Sequence, residues 1–231
     1  MKYQFLSRDV LKLIAILSML IDHVGKLFFP NILFLQIVGR LAFPIFAFFI
    51  AEGFYYTRNK VKYFFTILVF AVIAQIPYNF LWHGLNVLFT FSCALFLLAL
   101  WDGAKKLALT EKIILRIISL FVLVVLICLS LLTNMDYGWY GLLLPVFFFI
   151  FRNHVITKFA IFVGVTVLYI MQNLWGVVNL CFDNFLQLFA LLSIMLLAFY
   201  NDSYKGYKQL KYVFYVFYPL HLVILLLLTL I

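Results

Sequence analysis

The chain has 231 residues, of which 68% are hydrophobic and only 11% are charged. Soluble domains are close to half apolar and a quarter charged, so this composition excludes a water-soluble globular protein and predicts that lipid surrounds most of the chain. The formal net charge of +9 would favour nucleic acid in a soluble protein. No basic face exists outside the apolar segments, however, so we expect no nucleic-acid partner.

Apolar runs between polar breaks predict nine membrane-spanning helices, because a helix needs about 20 apolar residues to cross the hydrocarbon core. The runs cover residues 10–29, 32–55, 61–81, 86–101, 113–132, 138–151, 156–173, 184–200 and 211–231. The sixth run is short, so eight or ten spans remain open. The predicted fold is an all-α, polytopic transmembrane helix bundle that forms a single domain over residues 1–231.

Lysine and arginine occur only in alternate loops between these runs. Cytoplasmic loops of membrane proteins carry an excess of these residues, so the alternation predicts a cytoplasmic N-terminus and an outside C-terminus. The basic segments contain Lys2 and Arg8; Arg58, Lys60 and Lys62; Lys105, Lys106 and Lys112; Arg152 and Lys158; and Lys205, Lys208 and Lys211.

The first helix carries a polar face inside an apolar run. At 100° per residue, its ionisable side chains lie in an arc of about 100°, and this face is unsuited to lipid. Asp22 and Lys26 are spaced i, i+4 and can form an ion pair, whereas the neighbours Asp22 and His23 are poorly placed for a direct bond. The face consists of Arg8, Lys12, Asp22, His23 and Lys26.

Depth counting places several ionisable residues in one layer. From the outer helix ends, Asp22 and His23 lie about 10 Å deep, Arg40 about 12 Å and His221 about 15 Å, all in the outer half of the membrane. Glu52 falls in the inner half. One interpretation is that Arg40 and Asp22 only pair to hold helices together. Two histidines at one depth instead indicate a site, because histidine exchanges protons near neutral pH.

The remaining histidines and the cysteines point to no further site. His83 and His154 lie in predicted loops, where we expect them to be solvated. We predict no metal site, because the intramembrane histidines lack an i, i+4 partner and the cysteine spacing matches no zinc pattern. Cys93, Cys128 and Cys181 are expected to be small core side chains.

Seven motifs distributed over almost the whole chain resemble the TraX family, which is named for the conjugation protein linked to N-terminal acetylation of pilin. The first two and the last are specific, whereas the middle ones would be weak alone. The family often has Asp where this chain has Asn79. The motifs are IDHVG at 21–25, GRLAFPIFAF at 39–48, EGF at 52–54, IPYN at 76–79, NVLFT at 86–90, DYG at 136–138 and FYPLHL at 217–222.

The resemblance implies a multi-pass acetyltransferase of the bacterial cytoplasmic (inner) membrane, related to the acyltransferases that acetylate sugars of envelope polymers. Such enzymes are thought to take acetyl-CoA from the cytosol and deliver the acetyl group to an acceptor on the far side. The expected acceptor is an exported peptide N-terminus or an envelope glycan. A histidine on the first helix is the expected centre, which falls on His23. The motifs also carry Asp22, Arg40, Glu52 and His221.

Acetyl transfer needs a base for the acceptor's proton and a positive group for the oxyanion of the tetrahedral intermediate. His23 is the predicted base, or a transient acyl-histidine nucleophile. Arg40 is the predicted oxyanion stabiliser or the partner of Asp22, and His221 is predicted to orient the acceptor or relay its proton. The co-substrate is polyanionic and enters from the cytosol. The residues expected to bind it there are Arg8, Lys12, Glu52, Arg58 and Lys60.

Two other classes of function compete with this prediction. Intramembrane Asp, His and Arg also serve proton-coupled transporters and channels, although no inverted repeat or pair of Gly/Pro-broken helices is visible. A bundle that only scaffolds partner proteins would leave the polar face of the first helix unexplained. The sequence gives no indication of oligomeric state, since no GxxxG pair stands out.

Overall fold

The computed structural model describes residues 5–174, 182–201 and 210–230, which are almost entirely helical. Within these residues the only β contact is an isolated bridge between Leu6 and Tyr200, so the predicted all-α class is confirmed for them. The described α-helices are α1 (Arg8–Phe28), α2 (Leu33–Gly39), α3 (Ala42–Tyr56), α4 (Lys60–Leu81), α5 (Val87–Gly103), α6 (Leu109–Leu132), α7 (Gly138–Ile150), α8 (Val155–Leu174), α9 (Ser193–Ala198) and α10 (Leu210–Thr229). Short 3-10 helices at Ala104–Lys106 and Phe182–Leu192 precede α6 and α9.

Each predicted apolar run contains helix, but two of the runs are not single α-helices. The run 32–55 is divided into α2 and α3 at Arg40 and Leu41. Pro44 explains the break, because proline has no N–H for the Arg40 carbonyl and its ring crowds that oxygen. The run 184–200 begins as a 3-10 helix and becomes α-helical only at Ser193.

Four helical stretches of the described residues are long and apolar enough to cross a membrane. They are Leu33–Tyr56, Lys60–Leu81, Leu109–Leu132 and Val155–Leu174. Shorter apolar helices lie at Val87–Gly103, Gly138–Ile150, Phe185–Ala198 and Tyr215–Thr229. This pattern is that of a membrane protein, while the count of nine spans and their orientation stay predictions.

The first of two compact units comprises Met1–Phe46 and Asn153–Ile231. Its α1 begins at Arg8 and is capped by the preceding Ser7, whose hydroxyl accepts a hydrogen bond from the Val10 N–H at 3.3 Å. From there α1 packs against α2 and α10, and the 3-10 helix Phe182–Leu192 packs against α2 and α8. The buried stripe of α1 includes Leu11, Ala15, Ser18, Asp22 and Gly25, so the charged Asp22 continues an otherwise small or apolar face.

The second unit comprises Ala47–Arg152 and is organised around α5, which packs against α4, α6 and α7. Side-chain oxygens of Asn59 and Asn86 cap the N-termini of α4 and α5. Aromatic rings fasten α3 to α7, with edge-to-face pairs at centroid distances of 5.8 Å for Phe48–Phe148 and 5.4 Å for Phe54–Phe149. The prediction that the whole chain forms one domain stays a prediction.

The prediction for the cysteines is wrong at one of the two positions that the structure describes. Cys93 is half-buried on α5, but Cys128 is exposed because α6 presents most of its apolar surface outward. Cys181 lies outside the described residues, as do Lys2, Lys205 and Lys208, which contribute to the predicted orientation.

Candidate functional site

Asp22 is the centre of a charge cluster on α1 of the first unit. One carboxylate oxygen lies 2.9 Å from Nη2 of Arg40, and the other lies 2.5 Å from Nζ of Lys26. The Asp22 side chain is only 7% exposed and that of Arg40 14%, so both charges lie inside the protein. The predicted pairs of Asp22 with Lys26 and with Arg40 are therefore both formed. Each neutralises a carboxylate that would be costly on its own.

The break between α2 and α3 places the arginine of this cluster. Arg40 lies in the turn that follows α2, and its Nε also donates to the Gln36 carbonyl at 3.4 Å. Gly39 precedes it and packs directly on Asp22, since a Cβ at Gly39 would overlap the Asp22 side chain. Pro44 and Gly39 thus explain physically why this loop can bring a guanidinium to a buried carboxylate.

His23 points to a different partner from its neighbour. Its Nδ1 lies 2.9 Å from Nε2 of His221 on α10, and their ring planes differ by only 10°. His221 is buried, and its Nδ1 lies 3.0 Å from the Phe217 carbonyl oxygen one turn earlier in α10. The rings of Phe217 and Tyr218 also contact it, at centroid distances of 5.0 and 5.4 Å.

The structure therefore brings together the four residues predicted to be catalytic, in two adjacent pairs. Asp22 binds Arg40, and His23 binds His221. Chemically, the first pair fixes charges, and the second consists of imidazole nitrogens, which can donate or accept a proton. Their catalytic role stays a prediction.

Glu52 has a partner that the sequence analysis did not identify. It is buried in α3 of the second unit, and Nη2 of Arg152 lies 3.3 Å from one of its carboxylate oxygens. The guanidinium of Arg152 also lies over the Tyr55 ring, at 3.4 Å from the centroid. Burial acts to lower the pKa of Arg152, but the Glu52 carboxylate and the Tyr56 hydroxyl outweigh it and raise that pKa. The sequence pattern indicates only that Arg152 is a loop charge that contributes to the predicted orientation.

The other residues predicted to bind the co-substrate are distributed over both units. Arg8 and Lys12 lie in the first turns of α1, where Arg8 is 3.7 Å from Asp9. Arg58 is exposed before α4. At the start of α4, Lys60 forms an ion pair with Asp102 of α5. Binding of a polyanion by these residues stays a prediction, as does a contact of Glu52 with it.

Asp102 binds a second lysine as well, at 3.1 Å from Nζ of Lys105. Both ammonium groups also lie over aromatic rings, Lys60 over Phe54 at 4.5 Å and Lys105 over Phe149 at 4.8 Å. The sequence predicts an orienting role for both lysines and co-substrate binding for Lys60, but not their ion pairs. Their shared carboxylate was missed because Asp102 ends an apolar run and matches no motif.

Two of the middle motifs, NVLFT at 86–90 and DYG at 136–138, form hydrogen bonds within the second unit. The Asn86 amide donates to the Ala71 carbonyl and to the Gln75 side chain, both at 2.8 Å. Gln75 in turn donates to the Gly84 carbonyl at 2.8 Å. The Thr90 hydroxyl donates to the Asp136 carbonyl at 2.8 Å, which fastens the loop after α6 to α5. These hydrogen bonds give the two motifs a structural role.

The remaining histidines lie where the sequence places them. His83 and His154 are exposed outside the helices, which confirms the loop prediction. Among the residues that the structure describes, no three His, Cys, Asp or Glu side chains gather as metal ligands.

Comparison with protein families gives a match over nearly the whole chain, because residues 7–229 match the TraX protein family. The chain belongs to the TraX family. The residues of the two pairs, Asp22, His23, Arg40 and His221, all lie within the matched range. Family membership and the apolar helices together make this a bacterial membrane protein.

Two curated relatives match parts of the chain. A probable fimbrial assembly protein FimC, serogroup H1, of Dichelobacter nodosus is 40% identical over 45% of this chain and 49% of its own length. An uncharacterized protein of Rickettsia prowazekii (strain Madrid E) is 38% identical over 30% of this chain and 26% of its own length. The chain thus spans at most about half the length of these relatives. No solved structure matches it.

Proposed function

We propose that this protein is a transmembrane acetyltransferase that moves an acetyl group from cytosolic acetyl-CoA to an amine or hydroxyl of an exported acceptor. The observation that carries the proposal is the pair His23–His221, with nitrogens 2.9 Å apart inside an apolar bundle of the TraX family. This partly buried imidazole pair can supply the proton acceptor that acyl transfer requires. The ion pairs of Asp22, by contrast, are explained by charge neutralisation alone and do not indicate catalysis.

In the proposed reaction, His23 takes the proton of the acceptor's N–H or O–H as that atom attacks the thioester carbonyl. A tetrahedral intermediate forms and collapses, so that the carbon–sulfur bond breaks and the new C–N or C–O bond remains. The proton passes from His23 to the departing CoA thiolate. Each proton and electron pair is then accounted for within the three reactants, and His23 returns to its starting state.

Arg40 is the proposed electrostatic stabiliser of the oxyanion. Its guanidinium has five N–H donors in a fixed plane and stays charged in a protein. Asp22 holds that plane in place through Nη2, at 2.9 Å. A positive group that is fixed before the reaction stabilises developing charge without reorganising, which is worth about 10²–10³-fold in rate for one donor.

The proposal includes a topology of nine spans in the bacterial cytoplasmic membrane, with the N-terminus inside and the C-terminus outside. The alternation of basic loops supports it. The phosphates of CoA would then meet cations on the cytosolic side, with Arg8 and Lys12 as the groups to test on α1. Arg58 and Lys60 are the corresponding groups at the start of α4.

We also propose that the acceptor is exported, either a peptide N-terminus or an envelope glycan. Support comes from the name of one relative as a probable fimbrial assembly protein, since fimbrial subunits are exported peptides. This chain matches 49% of that relative's length, so the identity of the acceptor is to be established by experiment and not inferred from the relative's name.

The experiment uses the purified protein in lipid vesicles with acetyl-CoA and a panel of peptide amines and sugar hydroxyls. Release of the CoA thiol and mass spectrometry of the acceptors measure acetyl transfer. We expect transfer by the native protein and its loss in H23A, while H83A retains it as the matched control with an exposed histidine. Proton flux across the vesicles without thioester cleavage would instead favour the transporter class and reject the acetyltransferase.

A further inference from the structure

The contact between His23 and His221 is an aligned hydrogen bond rather than face-to-face ring stacking. The ring centroids are 5.1 Å apart, while the contacting nitrogens are 2.9 Å apart and the planes differ by 10°. The distance between the two ring centroids is close to the distance between the contacting nitrogens plus the radius of each ring. Two imidazoles satisfy this only when they meet edge to edge in nearly one plane, which is the geometry of an N–H···N bond.

The Phe217 carbonyl determines the direction of this bond. A carbonyl oxygen only accepts, so Nδ1 of His221, 3.0 Å away, carries the hydrogen of that ring. A neutral imidazole has one N–H, and Nε2 of His221 is therefore the acceptor. The hydrogen between the rings must then belong to Nδ1 of His23, which leaves the lone pair of His23 on Nε2.

We infer that the Phe217 carbonyl and His221 hold His23 in the Nδ1–H tautomer, so that Nε2 is its proton-accepting atom. His221 is thereby a positioning residue that acts through His23, and not a group that touches the acceptor. The catalytic meaning rests on the proposed function, whereas the tautomer does not. The role inferred for His221 is therefore to position His23, and not to orient the acceptor.

The assignment also explains why a histidine, and not a carboxylate, supports the base. When Nε2 of His23 takes the acceptor's proton, the new imidazolium keeps its Nδ1–H bonded to the lone pair of His221 Nε2. The carboxylate of the preceding residue, Asp22, has its two oxygens bound to Arg40 and Lys26. The proton leaves from Nε2 to the CoA thiolate, and the bond between the two rings persists throughout.

Nitrogen NMR of ¹⁵N-histidine-labelled protein in lipid bilayers tests the tautomer without any assay of acetyl transfer. The protein has four histidines, and H23N and H221N assign the two intramembrane rings by loss of signal. We expect a protonated Nδ1 and an unprotonated Nε2 for His23 in the native protein. A protonated Nε2 with an unprotonated Nδ1 on His23 would overturn the inference, whether or not the protein is an acetyltransferase.

Activity of two matched variants tests the positioning role. The amide oxygen of H221Q can accept from Nδ1 of His23, whereas H221L has no acceptor. We expect H221Q to keep acetyl transfer within about tenfold of the native rate and H221L to lose about 10²-fold in kcat, at the low end for a general base. Equal losses in both variants, with His23 tautomers unchanged, would contradict the role of His221 even if acetyl transfer itself is confirmed.

A separate observation concerns Arg116, a cation in the highly apolar helix α6. It lies about 10 Å along that helix from its first residue. Its guanidinium carbon is 3.1 Å from the ring centroid of Trp101 on α5, and its buried Nε has no hydrogen-bond partner among the described residues. Asp102, next to Trp101, is bound to Lys60 and Lys105. The charge therefore needs an anion that the described part of the chain does not provide.

The geometry points to the phosphate of an anionic phospholipid as that anion, bound by Arg116 against the Trp101 ring. An arginine one to two turns inside a span extends its guanidinium toward the headgroup layer, and tryptophan prefers the same layer. Charge complementarity selects an anionic lipid, and basic groups between helices are known to bind such headgroups.

Native mass spectrometry of the protein in mixed phosphatidylglycerol and phosphatidylcholine tests this site. We expect R116Q to retain about one third or less of the phosphatidylglycerol that the native protein retains. K112Q removes an exposed cation of the same helix and should change this retention little. Equal retention in R116Q and native protein would overturn the assignment. Loss of bound phosphatidylglycerol on adding acetyl-CoA would assign the site to a soluble phosphate instead and would also overturn it.

Discussion

The two compact units both contain buried charges in apolar surroundings, but they neutralise them differently. In the second unit, the carboxylates of Glu52 and Asp102 lie beside arginine and lysine side chains. Glu52 pairs with Arg152, and Asp102 pairs with Lys60 and Lys105. Such pairs neutralise charge and connect helices.

The first unit adds a second kind of contact beside its ion pairs. Asp22 is neutralised by Arg40 and Lys26, while the next residue of α1, His23, bonds to His221 instead. A pair of imidazoles can pass a proton where lysine and arginine hold theirs. We propose that the proton transfer belongs to the first unit, and we assign the ion pairs Glu52–Arg152 and Asp102–Lys105 of the second unit a structural role.

The largest expected effect on stability is that of D22A in the first unit. It leaves Arg40 buried without its carboxylate, and breaking a buried ion pair by removing one partner costs about 3–5 kcal/mol. Thermal unfolding in detergent, compared with the native protein, measures the loss. An unfolding midpoint within about one degree of the native value would show that the ion pairs of Asp22 do not stabilise the first unit.

E52Q tests the corresponding pair in the second unit. The amide removes a charge-assisted contact to Arg152, which costs about 1.5–3 kcal/mol of stability. Because this pair is assigned a structural role, we expect kcat for acetyl transfer to stay within about threefold of native once equal amounts of folded protein are compared. A loss of kcat as large as that of H23A, at unchanged stability, would place chemistry in the second unit as well.

G39A tests the close approach that positions Arg40. The added Cβ overlaps the Asp22 side chain, and overpacking of this kind costs about 1–3 kcal/mol. G164A is the matched control, since nothing lies within 4 Å of a Cβ at that helical position. Unfolding midpoints should fall for G39A and rise slightly for G164A, because alanine is the better helix former. Equal shifts in both variants would contradict the packing argument.

The smallest expected effect is that of K26M on the exposed side of the cluster. The Lys26 side chain is 35% exposed, and an i, i+4 pair of this kind contributes about 0.5 kcal/mol or less. Stability measured at low and high salt should be nearly the same as for the native protein. A loss comparable to that of D22A would show that Lys26, and not Arg40, is the main counterion of Asp22.

Much of the first unit could be predicted from local sequence. The 3.6-residue period of α1 places Asp22 and Lys26 one turn apart, and helix rise alone places Arg40 and His221 at a similar depth. Pro44 also indicates a break after α2, although the apolar run 32–55 by itself predicts one continuous helix. These features depend on residues close together in the chain.

The second unit was predicted less well because its pairs are distant in sequence. Glu52 and Arg152 are separated by 100 residues, and nothing in the local pattern of either indicates the other. Local sequence does not predict the edge-to-edge alignment of His23 and His221 either, since this alignment depends on the angle between α1 and α10. Arg116 was missed because a single cation does not interrupt an apolar run.

The most direct test of His23 as the base compares H23A and E52Q side by side in the same vesicles, with kcat for acetyl transfer at saturating acetyl-CoA as the measured quantity. Removal of a general base costs about 10²–10⁴-fold in rate, so we expect H23A to fall by at least that lower amount. E52Q should stay within about threefold of native, because it loses only a structural pair. Equal values for H23A and native protein would contradict the assignment of His23 as the base.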